Sequence, residues 1–446
     1  MKNERITSGF SKLSRNQKID LIFSELELDD AQKNELDSFL LSNKKIQKLL
    51  SEISENHISN FYLPYSIIPN VYINEKKYFV PMVVEESSVV AAAARSAKFW
   101  AKNGGFQAKI INNKKSGQVH FLWHENPDLL KSVFPLLKEE IVENLLPLTE
   151  RMEQRGGGIL AIELVDKSNE IEHYYQIDVL FDTVDAMGAN FINSCLENIA
   201  TTMRGFFNHP KNLYGLKPSY EIIMSILSNY YKDCIVECSV EGDVSLFSHA
   251  SQQLTGEDFA RRFKLAVDIA NLDISRAVTH NKGIYNGVDA VALATGNDWR
   301  AIEASGHAFA SRDGKYRSLT QATLDQNYFK YTLTLPIAMG SVGGLTNLHP
   351  LAKISMAILE NPSAEDLMKI AAAAGLANNF SAIWSLITSG IQKGHMKLHL
   401  SNILNQLGVD YHLHDIVSQF FENKTVSYSS VEKYINTELI KHISKA

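Results

Sequence analysis

The chain has 446 residues, 45% of them hydrophobic, and a formal net charge of -6 at pH 7. This length is enough for two or three domains, each with a hydrophobic core of its own. The mild negative charge and the lack of a basic stripe argue against a nucleic-acid partner.

The cysteines and the hydropathy pattern indicate the cellular compartment in which the protein works. Cys195, Cys234 and Cys238 are too few for a disulfide framework, so we expect a reducing, cytoplasmic setting. Because the spacing in "CIVEC" is not that of a zinc knuckle, Cys234 and Cys238 are expected to be ordinary strand residues. The N-terminus lacks the apolar core of a signal peptide and no run of about 18 apolar residues occurs, so we expect no membrane span.

The first predicted elements are surface helices followed by a hairpin. Residues 15–55 alternate acids, lysines and leucines at helical spacing, which predicts two or three helices. Residues 70–84 predict two strands joined by the turn "NEKK". Glu85 and Glu86 follow, with no basic residue near them until Arg95, and then an alanine-rich helix ends at "KNGG". Two acids at a junction between buried elements need a reason, and capping of the helix is one.

The next segment has the order strand, helix, strand, strand, helix, strand. The helices are predicted over 127–154 and 187–206, and the strands at "GQVHFLW", "ILAIELVD", "HYYQIDVLFD" and "YEIIMSIL". This order is the split β-α-β arrangement of a ferredoxin-like domain. We therefore predict an α+β fold, in which a large mixed α/β domain carries an inserted ferredoxin-like (βαββαβ) domain and ends in helices. The predicted limits are 1–110 and 220–390 for the large domain, 111–219 for the insertion and 391–446 for the helical tail.

Two of the candidate functional stretches are a turn and a lysine. In "DAMGAN", small residues open a helix directly after a strand that ends in acids. The free N–H groups of a helix N-terminus favour a phosphate, so the stretch indicates either phosphate binding or a tight turn. Lys282 lies in the otherwise uncharged stretch "THNKG". It either stabilises an oxyanion in a polar, partly dry pocket or is a solvated lysine.

Two further stretches contain an acid and a histidine pair. Asp298 follows the apolar "AVALATG", where it is either a functional acid or the N-cap of the helix "WRAIEASGHAFA". His395 and His399 are spaced i, i+4, which can place two imidazoles on one helix face for a metal. Met396 stands where the zincin pattern needs a glutamate, so we favour a general-acid role for His395 over metal binding.

Together these stretches resemble the hydroxymethylglutaryl-coenzyme A reductase family in its soluble bacterial class. The resemblance covers residues 10–400, where the following motifs occur in the family's order: "PMVVEESSVVAAAA", "RGGG", "DAMGANFIN", "MSILSN", "THNKG", "ATGNDWRAIEASGHAFASRDG", "GLANN" and "GIQKGHM". The resemblance implies reduction of 3-hydroxy-3-methylglutaryl-CoA to mevalonate and CoA by two successive hydride transfers, in the pathway of isoprenoid biosynthesis.

The resemblance also implies a role for each matching residue. Lys282 would stabilise the oxyanion, His395 would protonate the departing CoA thiolate, and Glu86 would protonate the mevaldehyde carbonyl. Asp298 would lie between Glu86 and Lys282. The positions that match substrate-binding or CoA-binding residues are Ser88, Arg276, Asn286 and Asn378. Those that match cofactor-binding residues are Thr149, Asp185, Met187, Gly188 and Asn190.

The family's architecture is implied in the same way. The inserted domain would hold the nicotinamide cofactor, and the C-terminal helices would form a flap that carries His395. The protein would be a homodimer or a higher assembly of dimers, with the active site at the dimer interface. No metal, nucleic acid or membrane partner is expected.

Three departures from the family pattern bear on function. Ser87 replaces a proline in "EESS", and Asn378 is one methylene shorter than the family's glutamine. Thr149 stands where a strongly NAD-preferring member has an aspartate. An acid there would repel the 2′-phosphate of NADPH, whereas threonine would not, and Arg151 and Arg155 lie nearby. We therefore favour NADPH over NADH, with use of both as the alternative.

Two competing functions differ from this prediction. One is the reverse reaction, NAD-dependent oxidative acylation of mevalonate in its breakdown, and Thr149 weighs against it. The other is a non-catalytic CoA-binding relative with a regulatory role. That relative would lack one of the residues of the predicted catalytic set, and all of them are present: Glu86, Lys282, Asp298 and His395.

Overall fold

The computed structural model describes residues 8–213, 215–250, 254–388, 390, 400–421, 424 and 426–439. Its α-helices are α1 Arg15–Leu26, α2 Asp30–Ser38, α3 Lys44–Ile53, α4 Ser87–Trp100, α5 Pro127–Glu153, α6 Ala189–Asn208, α7 Gly256–Leu272, α8 Ile274–Ala294, α9 Trp299–Ala310, α10 Gly344–Leu348, α11 Pro350–Ile358, α12 Ala364–Ile387, α13 His414–Phe421 and α14 Tyr428–Tyr434. Its strands are β1 Tyr65–Ile73, β2 Lys76–Val83, β3 Gln107–Asn113, β4 Lys115–Trp123, β5 Gly158–Asp166, β6 Tyr174–Asp182, β7 Tyr220–Leu227, β8 Cys234–Asp243, β9 Thr320–Asp325 and β10 Tyr328–Pro336.

The first three helices and the hairpin confirm the prediction for the N-terminal region. Helices α1 and α2 each begin with a capping box, at Ser14 with Gln17 and at Asp29 with Gln32, which satisfies backbone N–H groups at the helix start. Strands β1 and β2 pair antiparallel, and Asn74 at their turn has a positive φ of 48°. The first strand begins at Tyr65, five residues earlier than predicted.

Strands β4 to β7 form one antiparallel sheet in the order β5-β6-β4-β7. With α5 and α6 between them, these strands have the predicted βαββαβ order, and every element lies within a few residues of its predicted bounds. The two helices pack on one face of the sheet, over a core that includes Phe121, Ile177, Leu137 and Ile199. The pairing of β7 with β4 places residues 220–227 in this sheet, although the predicted limit of the insertion was 219.

A second antiparallel sheet has the order β3-β8-β10-β9. Strand β3 was not predicted, because its residues are largely polar and a bulge between Ile110 and Asn112 interrupts their alternation. Its pairing with β8 means that the sheet continues past the predicted limit at residue 110. Cys234 and Cys238 lie buried in β8 as free thiols, which confirms that they are ordinary strand residues.

Helix α12 is the central element of the main core. It packs against α8 and α4, and nearly all of its side chains from Leu367 to Trp384 are buried. Among the described helices it alone has the length and apolar composition that a membrane span needs. Since 78% of its most apolar window is buried inside the protein, packing accounts for that composition.

The C-terminal helices have a small core of their own. This core is formed by Leu400, Ile403, Leu404, Val417, Phe421, Val431 and Tyr434. Residues 400–406, α13 and α14 therefore agree with the predicted helical tail. His395 and His399 lie outside the described residues, so the predictions made for them stay predictions.

Candidate active site

The first corner of the site is the junction between β2 and α4. Glu86 is the N-cap residue of α4, but its carboxylate does not accept a hydrogen bond from the backbone of the helix. It accepts one from the Ser88 hydroxyl instead. Capping therefore does not explain the pair of acids, because Glu86 occupies the N-cap position without a capping hydrogen bond, and Glu85 before it is exposed. The Glu86 side chain keeps 46% of its surface exposed.

Lys282 supplies the basic partner that the local sequence around Glu86 lacks. It lies on α8, and its Nζ is 3.9 Å from Glu86 Oε2. Its side chain is 65% exposed, so in this chain by itself it is a solvated lysine, the second of the two alternatives, and does not lie in a partly dry pocket. Asn286 follows on α8 at the i+4 position, on the same face of the helix as Lys282. The two ionic groups thus face solvent together, where a ligand can reach both.

Arg276 lies in the first turn of α8, on a different side of the helix from Lys282. Its guanidinium is half-buried, and this burial lowers its pKa. Burial also lowers the pKa of His280 to about 3, and the Arg276 charge contributes to that shift. The neutral His280 ring lies 2.6 Å from Thr320 Oγ1, within a buried polar network. Arg276 therefore places a positive charge near this buried network at the start of α8.

The "GLANN" motif places two amides in the core instead of at the surface. Asn378 is 3% exposed, and its Nδ2 donates a hydrogen bond to Val89 O, 2.8 Å away. Val89 lies in the first turn of α4, directly after Glu86 and Ser88. Asn379 donates to His280 O at 2.8 Å and accepts from the Tyr331 hydroxyl. The two asparagines therefore brace the helices that carry Glu86 and Lys282.

Asp298 has the structural role that its local sequence allowed. It is the N-cap of α9 and accepts a hydrogen bond from Ala301 N–H at 3.2 Å. Its carboxylate also lies 3.6 Å from Arg300 Nε. Within the described part of the chain it makes no hydrogen bond or ion pair with Glu86 or Lys282. The structure therefore brings Glu86, Ser88 and Lys282 together, but Asp298 does not join them through a direct contact.

The second corner is the turn between β6 and α6, which contains "DAMGAN". Gly188 is the N-cap of α6 and has a φ of 88°, a conformation that favours glycine. A Cβ atom there would lie 2.4 Å from Thr183 Cγ2. No side chain caps α6, so its first N–H groups are available to a ligand, as phosphate binding requires. Met187 is half-buried and Asn190 is exposed beside this helix start.

This turn is tied to the main core by backbone contacts. The Asp185 carboxylate accepts a hydrogen bond from Ala364 N–H at 2.8 Å, at the first residue of α12. Its carbonyl accepts another from Ser341 N–H at 2.9 Å. A Cβ atom at Gly340 would lie 2.5 Å from Met187 N, so only glycine allows this approach. Asp185 thus holds the turn in place, and one of its carboxylate oxygens is already engaged.

The remaining predicted cofactor residue lies deeper than expected. Thr149 is 2% exposed on α5, whereas the neighbouring Arg151 and Arg155 are exposed. A cavity of about 800 Å³ lies elsewhere, between α1 and α3, and none of the predicted site residues lines it. In the described part of the chain, no three His, Cys, Asp or Glu side chains are grouped so that they could hold a metal ion.

Sequence reasoning missed three residues that shape the site. Asn297 makes two hydrogen bonds with Gly340, donating to its carbonyl at 3.2 Å and accepting from its N–H at 2.8 Å. Asn297 lies in "ATGND" and Gly340 in "GSVGG", and neither residue was predicted to belong to the site. The third is Lys115, a buried lysine at the start of β4, for which the sequence contains no local signal.

The sequence of this chain is similar to those of known proteins. The profile of a family described as hydroxymethylglutaryl-coenzyme A reductase matches residues 16–400. The chain is 34% identical over 396 residues to 3-hydroxy-3-methylglutaryl-coenzyme A reductase of Archaeoglobus fulgidus, covering 86% of each chain. It is 31% identical over 421 residues to the probable 3-hydroxy-3-methylglutaryl-coenzyme A reductase of Borreliella burgdorferi, covering 92% of this chain and 90% of that one.

Solved structures from Streptococcus pneumoniae are also similar. One is a class II 3-hydroxy-3-methylglutaryl-CoA reductase bound to NADPH in open conformations, with 35% identity and a TM-score of 0.69. It covers 85% of this chain and 99% of that chain. A second structure, of 3-hydroxy-3-methylglutaryl-coenzyme A reductase from the same organism, has 33% identity and a TM-score of 0.70. It covers 96% of this chain and 99% of that chain.

Proposed function

We infer that this chain, which belongs to the hydroxymethylglutaryl-coenzyme A reductase family, reduces 3-hydroxy-3-methylglutaryl-CoA to mevalonate and CoA. One observation in the structure carries the proposal for the site. The Lys282 ammonium and the Glu86 carboxylate, from motifs far apart in the chain, lie 3.9 Å from each other in an accessible corner. A fixed cation beside a carboxyl group is what reduction of a carbonyl needs, because negative charge develops on oxygen and a proton must follow.

NADPH is the reductant that we propose, and it supplies the hydride. The described residues fit a dinucleotide at the turn before α6, since its N–H groups are uncapped and Gly188 leaves the approach open. The similar enzyme of Streptococcus pneumoniae binds NADPH. Thr149 adds no negative charge beside a 2′-phosphate, and Arg151 and Arg155 are exposed nearby. We further propose that Met187 and Asn190 contact the cofactor and that Asp185 holds the turn, with NADH as a weaker alternative.

The proposed roles of the ionic residues follow the two reductions. Lys282 donates a hydrogen bond to the thioester oxygen and stabilises the oxyanion that forms there. When the carbon–sulfur bond breaks, the leaving thiolate takes a proton, for which we propose His395. In the second reduction, Glu86 protonates the aldehyde oxygen. The exposure of Lys282 and Glu86 in the free chain leaves both of them open to a substrate.

Neighbouring residues position these groups or bind substrate. The Ser88 hydroxyl holds the Glu86 carboxylate, and we propose that it turns to the substrate when one is bound. Asn286 shares a helix face with Lys282, so it fits a contact to the same substrate. We propose that Arg276 binds an acidic group of the substrate or CoA, and that Asn378 acts mainly by bracing α4. Asp298 would act from the start of α9, through the loop that it shares with Asn297.

The domain roles are proposed in the same way. Residues 115–227, which comprise β4 to β7 with α5 and α6, would form the cofactor-binding unit. Their sheet and core are separate from the β3-β8-β10-β9 sheet. The helices from residue 400 onward have their own small core, which supports a flap that moves as a unit.

A homodimer, or an assembly of dimers, is proposed with the active site at its interface. Apolar side chains on consecutive turns of α7 and the start of α8 are about half exposed, and exposed patches of this kind mark interaction surfaces. They are Leu265, Ile269, Leu272, Ile274 and Val278. Sedimentation at equilibrium measures the mass, and a monomer at assay concentrations would contradict the proposal.

The function is tested by measuring the loss of NADPH absorbance with 3-hydroxy-3-methylglutaryl-CoA, and in parallel the loss of NADH. We expect faster turnover with NADPH, and a fall of about 10²–10³-fold in kcat for Lys282→Ala, because an oxyanion donor is lost. Lys48→Ala is the matched control, since Lys48 is likewise exposed and pairs with Glu52 on the surface of α3. Full activity in Lys282→Ala would refute the proposed site. Formation of the acyl-CoA from mevalonate, without reduction of it, would support the reverse reaction.

A further inference from the structure

Lys115 is a buried cation directly beneath the turn that precedes α6. Only 2% of its surface is exposed. Its Nζ donates a hydrogen bond to Thr183 Oγ1 at 2.6 Å and another to Ala186 O at 3.0 Å. The Thr183 hydroxyl itself donates to Ala186 O at 2.7 Å. One ammonium group therefore fixes both ends of the short segment Thr183–Ala186.

The support continues from Lys115 to the helix start. The Thr183 methyl group fills the space where a side chain at Gly188 would lie, with 2.4 Å between Cγ2 and a Cβ placed there. Gly188 is the N-cap of α6. A shift of Thr183 would consequently move Gly188 and the N–H groups of the first turn. Lys115 thus controls, through one intervening side chain, the part of the turn that would face a phosphate.

The charge of Lys115 has no direct partner within the described part of the chain. The nearby Asp182 carboxylate is engaged by Lys114 at 2.5 Å and by Val184 N–H at 2.9 Å. Burial lowers the pKa of Lys115, while the nearby Cys234 thiol and the carboxylates of Asp182 and Asp185 act in the opposite direction. A buried ammonium without an ion pair is costly unless other groups stabilise it. Two hydrogen bonds do so in part, and an anion bound at the helix start would do so further.

We propose that Lys115 is a positioning residue for the cofactor, which fixes the turn before α6 and adds positive potential for the diphosphate of NADPH. The inference rests on the proposed cofactor role of this turn. The diphosphate is chosen over the 2′-phosphate because it is the group that a helix N-terminus binds in dinucleotide sites. Lys115 would not touch the reacting atoms, and its effect would be on binding.

The test is the affinity of Lys115→Met for NADPH and for NADH, measured by fluorescence titration without substrate. We expect Kd to rise about tenfold for both cofactors, because both contain the diphosphate, with little change in the KM for 3-hydroxy-3-methylglutaryl-CoA. Lys109→Met is the control, since Lys109 loses the same charge but pairs with Glu237 on the surface. An unchanged Kd would overturn the inference, and so would a rise for NADPH alone.

A second measurement covers the case in which Lys115→Met does not fold. In the wild-type protein the Kd for NADPH should rise at alkaline pH, earlier than an ordinary lysine would cause, because burial lowers the pKa of Lys115. Lys115→Arg keeps its charge, so its Kd should lack that rise. Parallel pH profiles for the two proteins would overturn the inference. If the wild-type protein binds neither cofactor, the proposed function fails instead.

Discussion

The two corners of the site are built in opposite ways. At the first, Glu86 and Lys282 keep about half or more of their side-chain surface exposed, and they contact each other only at 3.9 Å. At the second, the turn before α6 is held by Lys115, by Ala364 N–H and by the close approach of Gly340. Groups that react must stay free to contact a substrate, whereas a turn that binds through its backbone must already have the right shape. We therefore expect substitutions at the first corner to reduce catalysis without loss of stability. Substitutions at the second corner should weaken cofactor binding.

The first corner is tested by comparing the two adjacent acids. Glu86→Gln should reduce kcat by about 100-fold or more, because a general acid is lost. Its melting temperature should change little, since Glu86 accepts no backbone hydrogen bond at the helix start. Glu85→Gln is the matched control, and its activity should be close to that of the wild type. Mevaldehyde reduction measured separately shows which hydride transfer is affected.

Equal activity in the two glutamine variants would contradict the assignment of Glu86. A large loss of stability in Glu86→Gln would contradict the contrast between the corners, because the defect could then come from misfolding.

The second corner is tested with two glycines. Gly340→Ala places a Cβ atom 2.5 Å from Met187 N, so the turn must shift, and we expect about a tenfold rise in Kd for NADPH. Gly205→Ala is the control, because Gly205 is exposed within α6 with no atom within 4 Å of the added methyl group. That variant should gain about 0.5–1 kcal/mol in unfolding free energy and bind NADPH normally. If Gly340→Ala binds NADPH as well as the control does, the turn is not held through Gly340.

A smaller effect is expected at Asp289, two turns after Lys282 along α8. Burial raises the pKa of Asp289 to about 8, and the neighbouring Glu303 adds to that shift. One Asp289 oxygen is buried without a hydrogen bond. Between the ordinary pKa of an aspartate and about pH 8, Asp289 is therefore protonated in the folded protein and ionised in the unfolded chain. The free energy of unfolding consequently falls as pH rises through that window.

Asp289→Asn imitates the protonated carboxyl group and should escape this loss. We expect the variant to be more stable than the wild type by about 1 kcal/mol near pH 8, and the difference to disappear toward about pH 4. Thermal melts of both proteins across this range measure it. A constant difference at all pH values would show that Asp289 does not titrate in this window.

The sequence by itself determined what depends on neighbours along the chain. The βαββαβ order of residues 115–227, the cap at Asp298 and the strand-to-helix turn at Gly188 follow from local periodicity and residue type. The motifs around Glu86 and Lys282 could be recognised because each places charged residues in otherwise uncharged or apolar surroundings. The family resemblance then assigned their roles.

Tertiary structure alone decided which distant segments meet. The pairing of β3 with β8 depends on hydrogen bonds between segments more than a hundred residues apart, which no local pattern of its polar residues could indicate. The contact between Glu86 and Lys282, the use of Asn378 to brace α4 and the position of Lys115 beneath Thr183 arise in the same way. The packing of the whole core decides which partner a buried polar side chain has, because buried polar groups form hydrogen bonds with whichever groups the fold places beside them.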